Sequence, residues 1–175
     1  MAIERSKRPL ATRRMTALAR QLLNASPLCA IATVAPGSRA HVNTAYFAWS
    51  PEFDLVWLSE SRAKHSRNVR ANDTAAVAVY DSSQVWGKAD RGIQLFGSAR
   101  EVEGASARNS EALYAKRFPD YRPSDLSAYR FYRFHARRLK IFDERALGTG
   151  VFVTASITGE RRLAWERTEI FRSEA

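Results

Sequence analysis

The sequence has a single cysteine, Cys29, in 175 residues, so an internal disulfide bond is excluded and a reducing compartment is the simplest setting. The three histidines are not spaced as metal ligands, and no metal site is predicted. The Gly-x-Ser-x-Gly motif of hydrolases with a nucleophile elbow is also missing. Disulfide scaffolds, zinc proteins and hydrolases of that kind are therefore set aside.

A long hydrophobic run is missing as well. The longest uncharged run, residues 21–38, contains Asn24, Pro27, Thr33 and Pro36, which is typical of a helix end followed by a strand and not of a membrane span. The basic N-terminus is not followed by an apolar segment of the kind that secretory signals carry. We therefore expect a cytoplasmic protein that does not enter a membrane.

Acidic residues are few relative to basic ones, at 18 against 28, which gives a formal net charge of +10. More than half of the basic residues lie in three short segments, 5–20, 62–70 and 130–140. A basic protein can bind nucleic acid, anionic lipid or a phosphorylated small molecule, and short clusters leave all three open. The hydrophobic fraction of 45% argues against disorder.

Alternating apolar residues and turn signals predict a strand-rich chain with few helices. We predict helices near 12–26, 62–71 and 105–118, the first capped by Thr12. The predicted strands are Leu28–Ala35, 40–50, 55–59, Thr74–Tyr80, 92–102, 131–142 and Val151–Ile157, with Gly97 as a bulge or bend. Short hairpin connections favour a mainly β fold, an antiparallel barrel of six to seven strands. The interpretation is one domain over 1–175, with a basic arm at 1–11 and a polar C-terminal tail at 158–175.

The segment 54–72 is the most informative part of the chain, because its pattern predicts a strand that runs directly into a short basic helix. Ser61 is the predicted N-cap, and Arg62, Lys64, His65 and Ser66 fall in the first turn. Free backbone N–H groups and the positive end of the helix dipole attract anions at such a turn. The pattern predicts a phosphate site, and the alternative is a solvated basic surface helix.

Four segments share their order with a known family: LVWLS at 55–59, RAKHSRNV at 62–69, AVAV at 76–79 and IQLFGSAREV at 93–102. Together they resemble the pyridoxamine 5'-phosphate oxidase-like family of FMN-binding split barrels over roughly residues 15–157. The resemblance implies a single FMN-binding split-barrel domain that forms a homodimer, with the cofactor at the subunit interface.

The resemblance also implies a set of cofactor-binding residues. In the family, a basic pair that opens the helix holds the FMN phosphate, and Lys64 and His65 fall on that pair here. The remaining implied contacts are with the phosphate or the flavin ring, and the residues concerned are Arg62, Ser66, Val42, Asn43, Thr44, Ser59, Glu60, Trp86 and Gln94.

Two departures bear on the substrate. True pyridoxamine 5'-phosphate oxidases carry Arg-x-His near the C-terminus, where this chain has Arg167-Thr168-Glu169. Their Arg-Pro-x-x-Ser segment has only Arg122-Pro123-Ser124 as a counterpart. We therefore expect an FMN-dependent oxidoreductase that acts on another small molecule. The flavin would supply the chemistry, so no catalytic side chain is assigned.

Three alternatives stay open. A deazaflavin could replace FMN, as in some relatives. The barrel could bind haem, with His65 or His135 as the axial ligand. A basic barrel with aromatic strands could instead bind nucleic acid, although the clustering of basic residues at a helix start argues against it. His41 and His135 also fit surface histidines with no ligand.

Overall fold

The computed structural model describes residues 2–6, 9–122 and 127–172. Strand β1 (Ala2–Ser6) and helix α1 (Thr12–Asn24) come first, and the hairpin of β2 (Leu28–Ala35) and β3 (Arg39–Trp49) follows. Next come β4 (Asp54–Glu60), α2 (Lys64–Ala71), β5 (Thr74–Tyr80), β6 (Arg91–Glu101) and α3 (Gly104–Arg117). The chain continues with β7 (Tyr129–Asp143), α4 (Glu144–Leu147), β8 (Val151–Ile157) and β9 (Leu163–Arg172).

The strands hydrogen-bond in the order β1-β9-β8-β7-β4-β3-β2-β5-β6, and β6 also pairs with β7. The last six strands of that order therefore close into an antiparallel barrel. Closure leaves the barrel without an unpaired edge. The prediction of a mainly β split barrel with accessory helices is confirmed.

The predicted elements are present, and three strands have the predicted bounds. The two predicted helix caps are wrong. Ala11 is the N-cap of α1, and the Thr12 hydroxyl donates to the Leu163 carbonyl at 3.0 Å. Ala63 is the N-cap of α2, because a turn closed by the Ala63 N–H on the Glu60 carbonyl, at 3.1 Å, separates Ser61 from the helix.

The polar tail and the basic arm contain strands that the sequence did not predict. β1 and β9 pair antiparallel, with Ile3 opposite Phe171. The sequence of β9 shows no clear alternation of apolar and polar residues, because its charged residues are paired with residues of the same sheet. Glu166 lies 3.1 Å from Arg138, and Glu169 lies 3.6 Å from Lys140. A strand whose polar face is neutralised in this way carries a weak hydrophobic signal.

The described residues divide into two compact units, and each is considered by itself. The first comprises residues 1–26, 78–95 and 137–175, and the second comprises 27–77 and 96–136. The buried face of α1 in the first unit carries residues at helical spacing: Met15, Leu18, Ala19, Leu22 and Leu23. A cluster in the second unit joins β3, β4, β7 and α3 through Ala48, Val56, Val102, Tyr114 and Phe131. The single-domain interpretation stays a prediction.

Gly97 is required by a close approach of two strands in the second unit. A Cβ atom built at this position would overlap the His135 carbonyl oxygen on β7. Only glycine leaves room for that backbone. The need for glycine at this position is therefore steric, and the predicted bulge or bend in β6 stays a prediction.

None of the helices in the described parts of the chain is long and apolar enough to cross a membrane.

Candidate anion site at the start of the second helix

The site is built where β4 ends and α2 begins, within the second unit. Lys64, His65 and Ser66 are the first three residues of α2, and their N–H groups have no partner inside the helix. The first turn carries no acidic residue. The partial positive charge of this helix end is therefore not offset by its own side chains.

A short hydrogen bond fixes His65 at this turn. Its Nε2 lies 2.7 Å from the Ser59 hydroxyl oxygen at the end of β4. The fully buried Ser66 donates to the Glu60 carbonyl at 2.9 Å and lies 3.4 Å from the Ser59 hydroxyl. The structure thus brings Ser59, Glu60, His65 and Ser66 together, and their contact with a cofactor stays a prediction.

The two fixed cations beside this cluster face solvent. Lys64 opens the helix, Arg62 precedes it by two residues, and both are exposed. His65, by contrast, is half-buried. An anion at this turn would meet two mobile cations and one held imidazole.

His65 is neutral in the ligand-free protein near neutral pH. Burial lowers its pKa below the ordinary value of 6.5, and the positive field of His41 lowers it further. The two imidazoles therefore lie close enough for their charges to interact. A bound anion would oppose the effect of His41 on the pKa of His65 and favour the charged imidazole.

A network of hydrogen bonds centred on Glu101, the last residue of β6, borders the site. The Tyr132 hydroxyl on β7 donates to Glu101 at 3.0 Å. Arg70 of α2 lies 2.9 Å from Glu101 and donates to the Ser61 carbonyl at 2.7 Å. The sequence did not single out these residues, because Tyr132 has the spacing of a core residue and the family resemblance assigned no role to Glu101.

The three predicted residues of β3 fall on both faces of the strand. Val42 is 62% exposed on the outward face with Thr44, whereas Asn43 points inward. Among the described residues, the buried Asn43 Oδ1 and the buried His41 Nδ1 have no hydrogen-bond partner. Buried polar atoms need such a partner, so this face fits a polar ligand or ordered water.

These orphaned atoms and the anion-attracting turn fit FMN better than an apolar group. FMN has a phosphate for the α2 turn and polar ring atoms that can meet His41 and Asn43. Neighbouring polar side chains extend the same face, since Asn68 of α2 donates to the Thr33 hydroxyl of β2 at 3.0 Å.

Trp86 and Gln94, the two remaining predicted contacts, belong to the first unit. Trp86 is 98% exposed in the loop before β6, and Gln94 lies on an exposed position of β6. Their contact with a cofactor stays a prediction.

His135, a candidate haem ligand, lies in an ion-pair cluster at the start of β4. Its Nδ1 is 3.0 Å from Asp54, which also pairs with Arg133 at 2.9 Å. Asp54 and His135 are direct cross-strand partners on β4 and β7. Among the described residues, no group of three side chains could hold a metal ion.

Residues 167–169 and 122–124 occupy the places of the two substrate-binding motifs of true oxidases, and their described side chains bond to other residues of this protein. Arg167 pairs with Glu169 at 3.2 Å on β9, and Thr168 accepts a hydrogen bond from the Trp165 indole at 3.0 Å. Arg122 donates to the Pro119 carbonyl at 2.8 Å. Pro123 and Ser124 lie outside the described residues.

Comparison with known proteins identifies a family and a fold. A family model described as pyridoxamine 5'-phosphate oxidase matches residues 15–142. No curated protein matches the sequence.

Three solved structures illustrate the fold. Protein Atu2129 of Agrobacterium tumefaciens, of unknown function, is 20% identical with a TM-score of 0.63; the match covers 78% of this chain and 60% of that one. A Clostridium acetobutylicum protein related to general stress protein 26, of the pyridoxinephosphate oxidase family, is 11% identical with a TM-score of 0.64, covering 85% and 97%. The haem-storage protein HutZ of Vibrio cholerae is 19% identical with a TM-score of 0.61, covering 71% and 91%. At these identities the likeness concerns the fold alone.

Proposed function

Because this chain belongs to the pyridoxamine 5'-phosphate oxidase family, we propose that it is a flavoprotein that binds FMN, with the phosphate on the turn that opens α2. The observation that carries the proposal is the Ser59–His65–Ser66 cluster, with Lys64 exposed beside it. Phosphate oxygens accept hydrogen bonds from groups of this kind: backbone N–H groups, a hydroxyl, an imidazole and cations.

The chain's own residues would bind and orient the cofactor. Lys64 and Arg62 would neutralise the phosphate from the solvent side, and His65 would meet it from the strand side. Asn43 and His41, whose buried polar atoms have no partner within the described residues, would face the polar part of the ring. When bound, FMN supplies hydride transfer between an electron donor and a small-molecule substrate or oxygen. The proposed activity is therefore that of an FMN-dependent oxidoreductase.

The substrate is proposed to differ from pyridoxamine 5'-phosphate. Position 169 holds a glutamate where a true oxidase carries histidine, and this glutamate neutralises Arg167 at 3.2 Å. An arginine that is already paired with a carboxylate is a poor partner for a second anion.

The protein is also proposed to act as a homodimer with FMN at the subunit interface. The outward face of the β2–β3 hairpin is apolar and open: Leu28, Val42 and Tyr46 are 42%, 62% and 55% exposed. Leu28 and Tyr46 are direct cross-strand partners, and Val42 lies on the same face of β3, separated from Tyr46 by Thr44. Exposed apolar side chains that share one face of a sheet support an interaction surface there. Light scattering at micromolar concentration should give a dimer for the parent and a monomer for Val42→Asp.

The deciding experiment is the spectrum of the purified protein and the mass of the small molecule that it releases. Flavin absorbs in the blue, a deazaflavin at shorter wavelength, and haem gives an intense Soret band. Titration of the apoprotein should then show tight binding of FMN and weak binding of riboflavin, which lacks the phosphate. Equal affinity for the two would contradict a phosphate site on α2.

Haem is the second candidate, and one observation favours it. Asp54 holds Nδ1 of the half-exposed His135, and metal-ligating histidines are commonly held by a carboxylate in this way. HutZ, a haem-storage protein, has a similar fold. If this candidate is right, haem added to the apoprotein should give a Soret band whose position changes in His135→Ala and stays unchanged in His65→Ala.

A further inference from the structure

The Ser59 hydroxyl faces an imidazole, although the family resemblance implied only a contact with the cofactor. Its oxygen lies 2.7 Å from Nε2 of His65, and Ser59 is 93% buried, with an exposed fraction of 7%. This is the shortest of the contacts that Ser59 makes in the cluster. Either partner could donate in principle, because a hydroxyl both donates and accepts.

The neighbouring hydrogen bonds decide which partner donates. Ser66 has one hydroxyl hydrogen, and its acceptors are the Glu60 carbonyl at 2.9 Å and the Ser59 oxygen at 3.4 Å. Whichever acceptor Ser66 uses, the hydrogen of the Ser59 hydroxyl still needs an acceptor of its own. The other acceptor for Ser59 is the Glu60 carbonyl at 3.5 Å, which is farther away than His65. The Ser59 hydrogen therefore belongs on Nε2 of neutral His65.

We propose that Ser59 is a positioning residue that fixes His65 as an Nδ1–H donor for the phosphate of the bound ligand. A neutral imidazole that accepts at Nε2 must carry its hydrogen on Nδ1. The inference rests on the proposed function for its ligand, a phosphomonoester, and on the hydrogen-bond geometry for the tautomer.

Ser59 also suits the charged form of His65. When phosphate favours a protonated imidazole, Nε2–H can donate to the Ser59 oxygen, and the Ser59 hydrogen can turn toward Ser66. Several charged or titratable groups surround His65 on the elements packed near it. They are His41 on β3, Glu60, Arg62 and Lys64 on the turn, and, beyond Ser66, Arg70, Glu101 and Tyr132. Ser59 is the group in hydrogen-bond contact with Nε2, so its removal should change the tautomer directly.

The first test uses the ligand-free protein and ¹⁵N NMR of the imidazole nitrogens. The His65 signals, assigned by their loss in His65→Gln, should show the Nδ1–H tautomer in the parent. Ser59→Ala should shift them toward Nε2–H, and Ser59→Thr, which keeps the hydroxyl, should restore the parent pattern. Ser61→Ala removes a hydroxyl from the same turn and should change nothing. An unchanged tautomer in folded Ser59→Ala would overturn the proposal.

The second test measures ligand binding. Ser59→Ala should weaken FMN binding by about tenfold, the effect of one misdirected hydrogen bond, and leave riboflavin binding unchanged. A similar loss for both ligands would show a general structural role and would overturn the positioning role. If the parent binds neither FMN nor inorganic phosphate, the proposed function fails and the phosphate role of His65 is overturned with it. The NMR result separates that failure from an error in the tautomer.

Discussion

Tyr132 donates its phenol hydrogen to Glu101 at 3.0 Å from a fully buried position on β7. Glu101 also pairs with Arg70 at 2.9 Å, and Arg70 holds the Ser61 carbonyl at 2.7 Å. One carboxylate thus ties β7 to α2 and to the turn before it. The pKa of Tyr132 is raised, first by burial, so the phenol keeps the hydrogen that it donates.

Tyr132→Phe should lower the free energy of unfolding by about 1.5–3 kcal/mol, because one hydrogen bond to a carboxylate is lost while the Glu101–Arg70 pair remains. Urea denaturation measures the change. Tyr129→Phe, at a position 40% exposed at the start of the same strand, is the control and should be neutral. Equal effects of the two substitutions would contradict a specific role for the Tyr132–Glu101 bond.

The double variant Lys64→Ala, His65→Ala should weaken FMN binding by about 2–4 kcal/mol, since charge-assisted hydrogen bonds contribute about 1.5–3 kcal/mol each and are not strictly additive. Riboflavin should bind the parent weakly and be nearly indifferent to the change. Titration followed by flavin fluorescence measures both. Arg67→Ala removes an exposed cation from the same helix and is the matched control. Parent-like FMN affinity in the double variant would place the phosphate elsewhere.

Much of the barrel could be predicted because its strands bury one face. β2 alternates between buried and partly buried residues along its length after Leu28, and its predicted bounds are those of the structure. β9 could not be predicted in the same way. Its Glu166 and Glu169 look solvated in the sequence, and only the fold shows their partners Arg138 and Lys140.

The candidate site could be predicted only in its local part. Ser59, His65 and Ser66 are within eight residues of one another, and a strand that runs into a helix brings them together. His41 and Tyr132 reach the same place from distant strands, and nothing in their own surroundings marks them. Side chains that meet through tertiary packing leave no local pattern, whereas residues on one turn do.

Gly97→Ala should destabilise the fold by about 1–3 kcal/mol, the usual cost of forcing extra volume into a packed site. The added methyl would meet the His135 carbonyl, which cannot move without shifting β7. Gly159→Ala is the control, because a Cβ there meets nothing within 4 Å. Thermal unfolding of both variants measures the difference. A Gly97→Ala variant as stable as Gly159→Ala would show that β6 and β7 can separate at little cost.

Cys29 should be unreactive toward thiol reagents in the folded protein. Burial raises its pKa to about 12, and only the thiolate reacts quickly. At pH 8 the folded protein should therefore be modified far more slowly than the urea-unfolded chain. A disulfide-exchange reagent with a coloured product measures both rates. Equal rates would mean that β2 opens readily in the native state.

His65 should make FMN binding depend on pH. Its pKa is lowered in the ligand-free protein, and a dianionic phosphate would raise it in the complex. This contribution to affinity is therefore fully present below the ligand-free pKa and is lost as pH rises through the higher pKa of the complex. The second ionisation of the phosphate, near pH 6, opposes it at the acid end, so we expect a maximum around neutrality. His65→Lys should flatten the alkaline limb and leave the acid limb in place, because a lysine at this position stays charged. FMN titrations between about pH 6 and 9 compare the two proteins, and parallel curves would show that His65 does not meet the phosphate.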